Sequence, residues 1–243
     1  MIEFRRLTKR FGDRTVLEDI DLVIPTGTVQ FVIGPSGAGK SVLMKHVVGL
    51  VRADAGEVRV DDEDVTHYSE AEFYGVRRKC GFVFQQATLL DGLSVRDNVA
   101  LAVRYRFGVS RAEARARADT ELTRLDLAAW AHKFPADLGA GLKKRAAIAR
   151  AVALEPQYLI YDEPTTGLDP VAARRVDRLI AALKGRVTQI VVSHDLASIL
   201  GVADRIAMLH NARVHLEGTP AELRASDDAV IRQFLGGLPD GPM

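Results

Sequence analysis

Residues 34–41 read GPSGAGKS and directly follow the apolar run TVQFVI at 28–33. The spacing G-x-x-x-x-G-K-[ST] is that of a loop whose backbone N–H groups cradle a phosphate chain. Gly34, Pro35, Ser36, Gly37, Ala38 and Gly39 form the cradle, and Gly37 and Gly39 let the backbone wrap close to an anion. Lys40 has the length to reach the β- and γ-phosphates, and the Ser41 hydroxyl is placed to ligate Mg²⁺. Residues 41–50, SVLMKHVVGL, read as a buried helix whose positive dipole end faces the anion. A Gly-rich turn without a ligand is the bland alternative; the strand before and helix after favour a nucleoside triphosphate site.

Outward from that loop, strands and helices alternate. Ile2–Leu7 and Val16–Ile24 read as strands around a polar turn, with Phe11 lying between them. Phe11 is either one aromatic of a small core, which spacing alone favours, or a platform for a nucleobase. Hairpin signals sit at 56–62, and GFVF at 81–84 is a short strand ending at Gln85. Ser94–Val103 and Ser110–Leu127 are helical, the second with a Ser110/Glu113 capping box. A further helix spans 141–155 and stops at Pro156. Tyr158–Tyr161 is an apolar strand that delivers Asp162 and Glu163 to the sheet's carboxyl edge, where ligands of such sheets bind. Asp162 suits the second metal contact and Glu163 a base for the attacking water. Asp169 caps a helix that opens at Pro170, and Thr188–Val192 is a buried strand ending at His194. A terminal hairpin and two short helices follow. The pattern predicts an α/β fold with a mainly parallel sheet and an inserted helical subdomain.

The 33 basic and 32 acidic side chains nearly cancel, so charge gives no argument for nucleic acid or anionic lipid as a partner. The single cysteine, Cys80, excludes an internal disulfide and fits a reducing compartment. No apolar run approaches the ~20 residues of a membrane span, so a role at a membrane implies docking to another chain.

GPSGAGKS, Gln85 after GFVF, YDEPTTGLDP and VVSHD, in this order, resemble the nucleotide-binding subunit of an ATP-binding cassette (ABC) transporter over about residues 1–220. The resemblance implies a RecA-like P-loop fold with an N-terminal antiparallel β region, ATP and Mg²⁺ as cofactors, and a homodimer. It places Phe11 against adenine. Ser41, Gln85 and Asp162 go to the metal, Glu163 acts as general base, His194 meets the γ-phosphate, and Lys40 completes the catalytic set. It sends Asp169 across a dimer interface. The family's LSGGQ signature reads Leu138-Gly139-Ala140-Gly141-Leu142 here, so the serine hydroxyl is missing at Gly139. Gly139, Ala140 and Gly141 keep backbone donors for a phosphate, and hydrolysis is expected to be slowed rather than abolished. Lys143, Lys144 and Arg145 sit in the first turns of that helix, where the dipole disfavours cations, a placement that makes sense if an opposing phosphate or acidic partner compensates.

The stretch IRQFLGGLPDGPM, with the P-loop segment, further resembles the ATPase of Mla/Mce-type lipid transporters. That resemblance implies phospholipid trafficking from the cytoplasmic face of the inner membrane, an MlaE-like permease, an Mce-domain lipid binder and a STAS-domain subunit. Ile231, Phe234 and Leu235, at helical spacing, suit docking onto something rather than a frayed terminus. The expected division is 1–86 and 141–220 for the ATP-binding core, 87–140 for the helical subdomain and 221–243 for the tail. A low-turnover regulatory subunit and an importer ATPase are the competing readings.

Overall fold

A computed structural model describes every residue except Pro239 and Met243. The chain opens with a long antiparallel hairpin, β1 (Ile2–Phe11) and β2 (Arg14–Ile24), turning at Gly12. Both strands run further than the sequence suggests, because ladder pairing continues through polar residues as far as Phe11↔Arg14. Phe11 therefore ends β1 rather than lying between strands. β3 (Val29–Ile33) leads into α1 (Lys40–Val47), which is shorter than expected because the chain turns at Gly49 with φ 67. Next come β4 (Ala55–Val60), β5 (Glu63–Asp64), α2 (Glu70–Lys79) and β6 (Cys80–Val83).

The inserted region carries α3 (Val95–Phe107) and α4 (Arg111–Arg124). Ser110 caps α4 by accepting from Glu113 N–H, but the Glu113 carboxylate pairs with Arg117 instead of closing the expected box. α5 (Ala140–Val152) returns the chain to β7 (Tyr158–Asp162), α6 (Pro170–Ala182), β8 (Thr188–Val192) and α7 (Leu196–Val202). The hairpin β9 (Arg205–His210) and β10 (Arg213–Gly218) precedes α8 (Pro220–Ala225) and α9 (Ala229–Gly236).

β2-β1-β4-β5 form an antiparallel sheet. The second sheet has the order β10-β9-β3-β8-β7-β6, parallel throughout except for β10 at its edge. β3, β7 and β8 are buried at every position, which is why their sequences are mostly apolar rather than alternating. One face of this sheet joins α1 and the antiparallel sheet in a core around Phe4, Leu43 and Ile160. Its other face packs on α5, α6, α7 and α9 around Phe31, Ile180 and Ile199. A third core, around Val99, Ala118 and Leu122, belongs to the helical region. α5 serves two of these: Ala147, Ile148 and Ala151 face the sheet, and Ala146 and Ala149 face α3 and α4.

The apolar residues of α9 dock as their spacing suggests, and the surface they meet belongs to this chain. Ile231 is fully buried, and Phe234 and Leu235 pack against the sheet's core, so these apolar residues dock on their own domain. Among the described residues no helix is long and apolar enough to cross a membrane.

Candidate nucleotide site

The loop after β3 is shaped by its neighbours. A side chain at Gly34, where φ is 140, would strike the Leu209 carbonyl of β9 at 2.2 Å. One at Gly39, where φ is 94, would strike Leu17 of β2 at 2.8 Å. The backbone thus lies against both sheets at once, which only glycine permits. Lys40 is 7% exposed and donates from Nζ to the carbonyls of Gly34 (2.8 Å) and Pro35 (2.9 Å), closing the loop on itself. Burial lowers the Lys40 pKa, while Glu163 and Asp162 act to raise it. An ammonium so placed is drawn toward any anion that enters.

The parallel order of β3, β8 and β7 brings their carboxyl ends together. Asp162, also 7% exposed, ends β7 and accepts from Ser41 Oγ at 2.5 Å. A hydroxyl and one carboxylate side by side suit Mg²⁺, which takes few protein ligands and fills its octahedron with water and phosphate oxygens. Glu163 follows at φ 50, a conformation uncommon outside glycine, held by its N–H to the Val192 carbonyl at 2.9 Å. Its Oε2 accepts from Thr166 Oγ1 and meets His194 Nδ1, both at 2.9 Å. His194 itself is exposed and open to an incoming group. The following Asp195 fixes the segment by capping α7 through Ala197 and Ser198 N–H.

Phe11, Ser36–Ser41, Gln85, Glu163 and His194 surround one cleft of about 550 Å³. Phe11 is 52% exposed, with Lys9 Nζ 5.1 Å from its ring centre. A half-exposed ring at the cleft mouth contradicts the core-aromatic alternative. Sequence reasoning did not single out Arg14, Val16 and Thr166, which also line the cleft. The signal for Thr166 was its place three residues after Glu163; the other two follow only from the length of the hairpin.

Gly139, Ala140, Gly141 and Asp169 are not brought to Lys40. They line a second cleft of about 250 Å³ between α5 and α6, together with Arg175. Asp169 Oδ1 accepts from Val171 and Ala172 N–H, the predicted cap. Of the three cations in the first turns of α5, two find their partners within this chain. Lys144 and Arg145 are buried, at 3% and 6% exposed. Lys144 donates to the Phe84 and Gln85 carbonyls, and Arg145 to those of Leu125 and Asp126. Their charges answer backbone oxygens of this chain rather than a partner.

A phosphate cradle, a serine–aspartate pair and a glutamate–histidine pair on adjacent strand ends define a P-loop nucleoside triphosphatase. Residues 17–166 match the ABC transporter family, and the chain belongs to it. Its relatives include the intermembrane phospholipid transport system ATP-binding protein MlaF of Haemophilus influenzae. That protein is 36% identical over 245 residues, covering 100% of this chain and 93% of MlaF. The probable ribonucleotide transport ATP-binding protein mkl of Mycobacterium tuberculosis is also 36% identical, over 100% of this chain and 68% of its own length. Among solved structures, cbiO1 from Clostridium perfringens, part of the ABC transporter complex cbiONQ, superposes with a TM-score of 0.85 at 30% identity. It covers 98% of this chain and 95% of cbiO1. The dimeric cassette MJ0796 bound to ADP and Pi gives 0.82 at 30% identity, over 90% and 99%. The chain is an ABC-type nucleotide-binding, ATP-hydrolysing subunit.

Proposed function

We propose that two copies of this chain close on two ATP molecules and so drive a membrane permease that moves phospholipid between the inner and outer membranes. One observation carries the dimer: the phosphate cradle and the Gly139–Gly141 segment occupy separate clefts of one chain. A second copy, turned head to tail, completes each site. The phospholipid cargo is supported by similarity to MlaF along the whole chain.

In this reading Phe11 stacks the base, the loop N–H groups and Lys40 hold the β- and γ-phosphates, and Ser41, Asp162 and Gln85 hold Mg²⁺. Bound magnesium neutralises the charge that develops on the phosphate oxygens. Glu163 takes the proton of the attacking water, and His194 orients that carboxylate and contacts the γ-phosphate. Gly139, Ala140, Gly141 and Asp169 of the opposing copy close the site. Residues 1–86 and 141–220 act as the ATP-binding core, 87–140 as the helical subdomain that meets the permease, and 221–243 as the tail. The subunit works peripherally at the cytoplasmic face, with an MlaE-like permease, an Mce-domain lipid binder and a STAS-domain protein as partners.

Purification from native membranes, with mass spectrometry of the co-purifying proteins and lipids, tests this. A permease carrying phospholipid is expected. A permease for nucleotides or metal ions would overturn the cargo, and mkl gives that alternative a concrete form. The bare backbone at Gly139 favours a second reading, a regulatory subunit with minimal turnover. An ATPase rate that does not fall on Glu163→Gln would support it.

A further inference from the structure

Helix α5 starts at the Gly139 segment, and two of its cations hold the stretch that carries Gln85. Lys144 Nζ donates to Phe84 O at 3.2 Å and to Gln85 O. Arg150 donates to Thr88 O at 2.8 Å, Thr88 Oγ1 at 3.1 Å and Ala87 O at 3.4 Å. The backbone from Phe84 to Thr88 is thereby fastened to one helix, including the strained Thr88 at φ 46. Gln85 meanwhile lines the nucleotide cleft.

A buried ammonium is an expensive way to pack a helix whose neighbours at 146–149 are Ala, Ala, Ile and Ala. Its charge has a use where it lies. Burial lowers the Lys144 pKa, while Asp162 and Glu163 favour its charged form, as they do for Lys40. Lys144 does not line the nucleotide cleft itself and reaches it only through the Gln85 backbone.

We propose that Lys144 is a positioning residue for hydrolysis. It fixes Gln85 through the backbone, and so ties the segment that closes the opposing copy's site to the residue that serves its own. The inference rests on the roles given above to Gln85 and to the Gly139 segment.

The test is steady-state ATPase kinetics on the full chain, with Lys144→Met, Lys144→Arg, Gln85→Ala and the Lys144→Met/Gln85→Ala double variant. Lys144→Met is expected to lower kcat about tenfold or more with KM within about twofold of wild type. Lys144→Arg keeps a cation that reaches both carbonyls and should recover most of kcat. If Lys144 acts through Gln85, the double variant runs at about the rate of Gln85→Ala alone, a strongly non-additive cycle. Wild-type kcat for Lys144→Met, an arginine variant as slow as the methionine one, or multiplicative losses in the double variant would each overturn the inference. Should Lys144→Met not fold, Lys144→Gln, which keeps one donor, is judged by the same criteria. A wild-type chain without ATPase activity would instead sink the proposed function. Full activity in Gln85→Ala would remove Gln85 from its role, and the inference with it.

Discussion

Gly139 holds φ −68 and ψ 160, ordinary values for an N-cap residue with a side chain, and a Cβ there meets nothing within 4 Å. Serine therefore fits without strain and is the better cap by a few tenths of a kcal/mol. A hydroxyl donated to a charged phosphate contributes about 1.5–3 kcal/mol. Gly139→Ser should raise kcat about tenfold or more at unchanged or slightly higher melting temperature; an unchanged rate would refute the missing-hydroxyl account. Two residues on the outcome reverses, since a Cβ at Gly141 would lie 2.8 Å from Ala172 Cβ. Asp177 gives a pH-dependent case. Its Oδ1 is buried without a hydrogen-bond partner, and burial raises its pKa above the ordinary 3.8 despite a bond from Ser198. A carboxyl raised in the folded state binds its proton more tightly there, so stability falls as pH climbs through the native pKa. Asp177→Asn should therefore melt a few degrees higher at pH 7, and the advantage should vanish near pH 3. Equal gains at both pH values would count against this origin.

At the scale of elements, motifs tied to a backbone shape were readable and packing was not. GPSGAGKS fixed a strand, a turn and a helix at once, and Asp169–Pro170 marked the start of α6 to the residue. α2 was missed although Ser69 and Glu72 form a complete capping box, because its sequence is polar and shows little apolar periodicity. α7 was missed because it is seven residues long. The burial of Lys144 and Arg145 is not legible in the sequence, since nothing local to KKR says that backbone carbonyls of distant segments wait for them. The apolar side of α9 was seen, but not what covers it. Because that cover is the chain's own core, Ile231→Ala should cost about 2–4 kcal/mol in urea unfolding while leaving KM for ATP unchanged. A stable Ile231→Ala variant that had lost ATP binding would contradict this placement.

For the whole molecule, the two clefts make closure of a pair depend on nucleotide. Glu163→Gln keeps the shape and the Thr166 bond but removes the base. With hydrolysis blocked, ATP should hold the variant as a dimer on size exclusion, while the nucleotide-free chain and the wild type given ADP run as monomers. A monomeric Glu163→Gln chain at saturating ATP and Mg²⁺ would break the two-copy arrangement.

Helix α5 has alanines on both sides, one set facing the sheet and the other facing α3 and α4. Small side chains let two bodies approach closely around a single rod, and they leave no slack for insertion. By contrast, at Gly108 in the α3–α4 turn, where φ is 68, a Cβ would meet nothing within 4 Å. A fluorophore or affinity tag belongs at that turn. The same graft anywhere along 140–152 would prise the helical lobe from the sheet and unpick two cores with one cut.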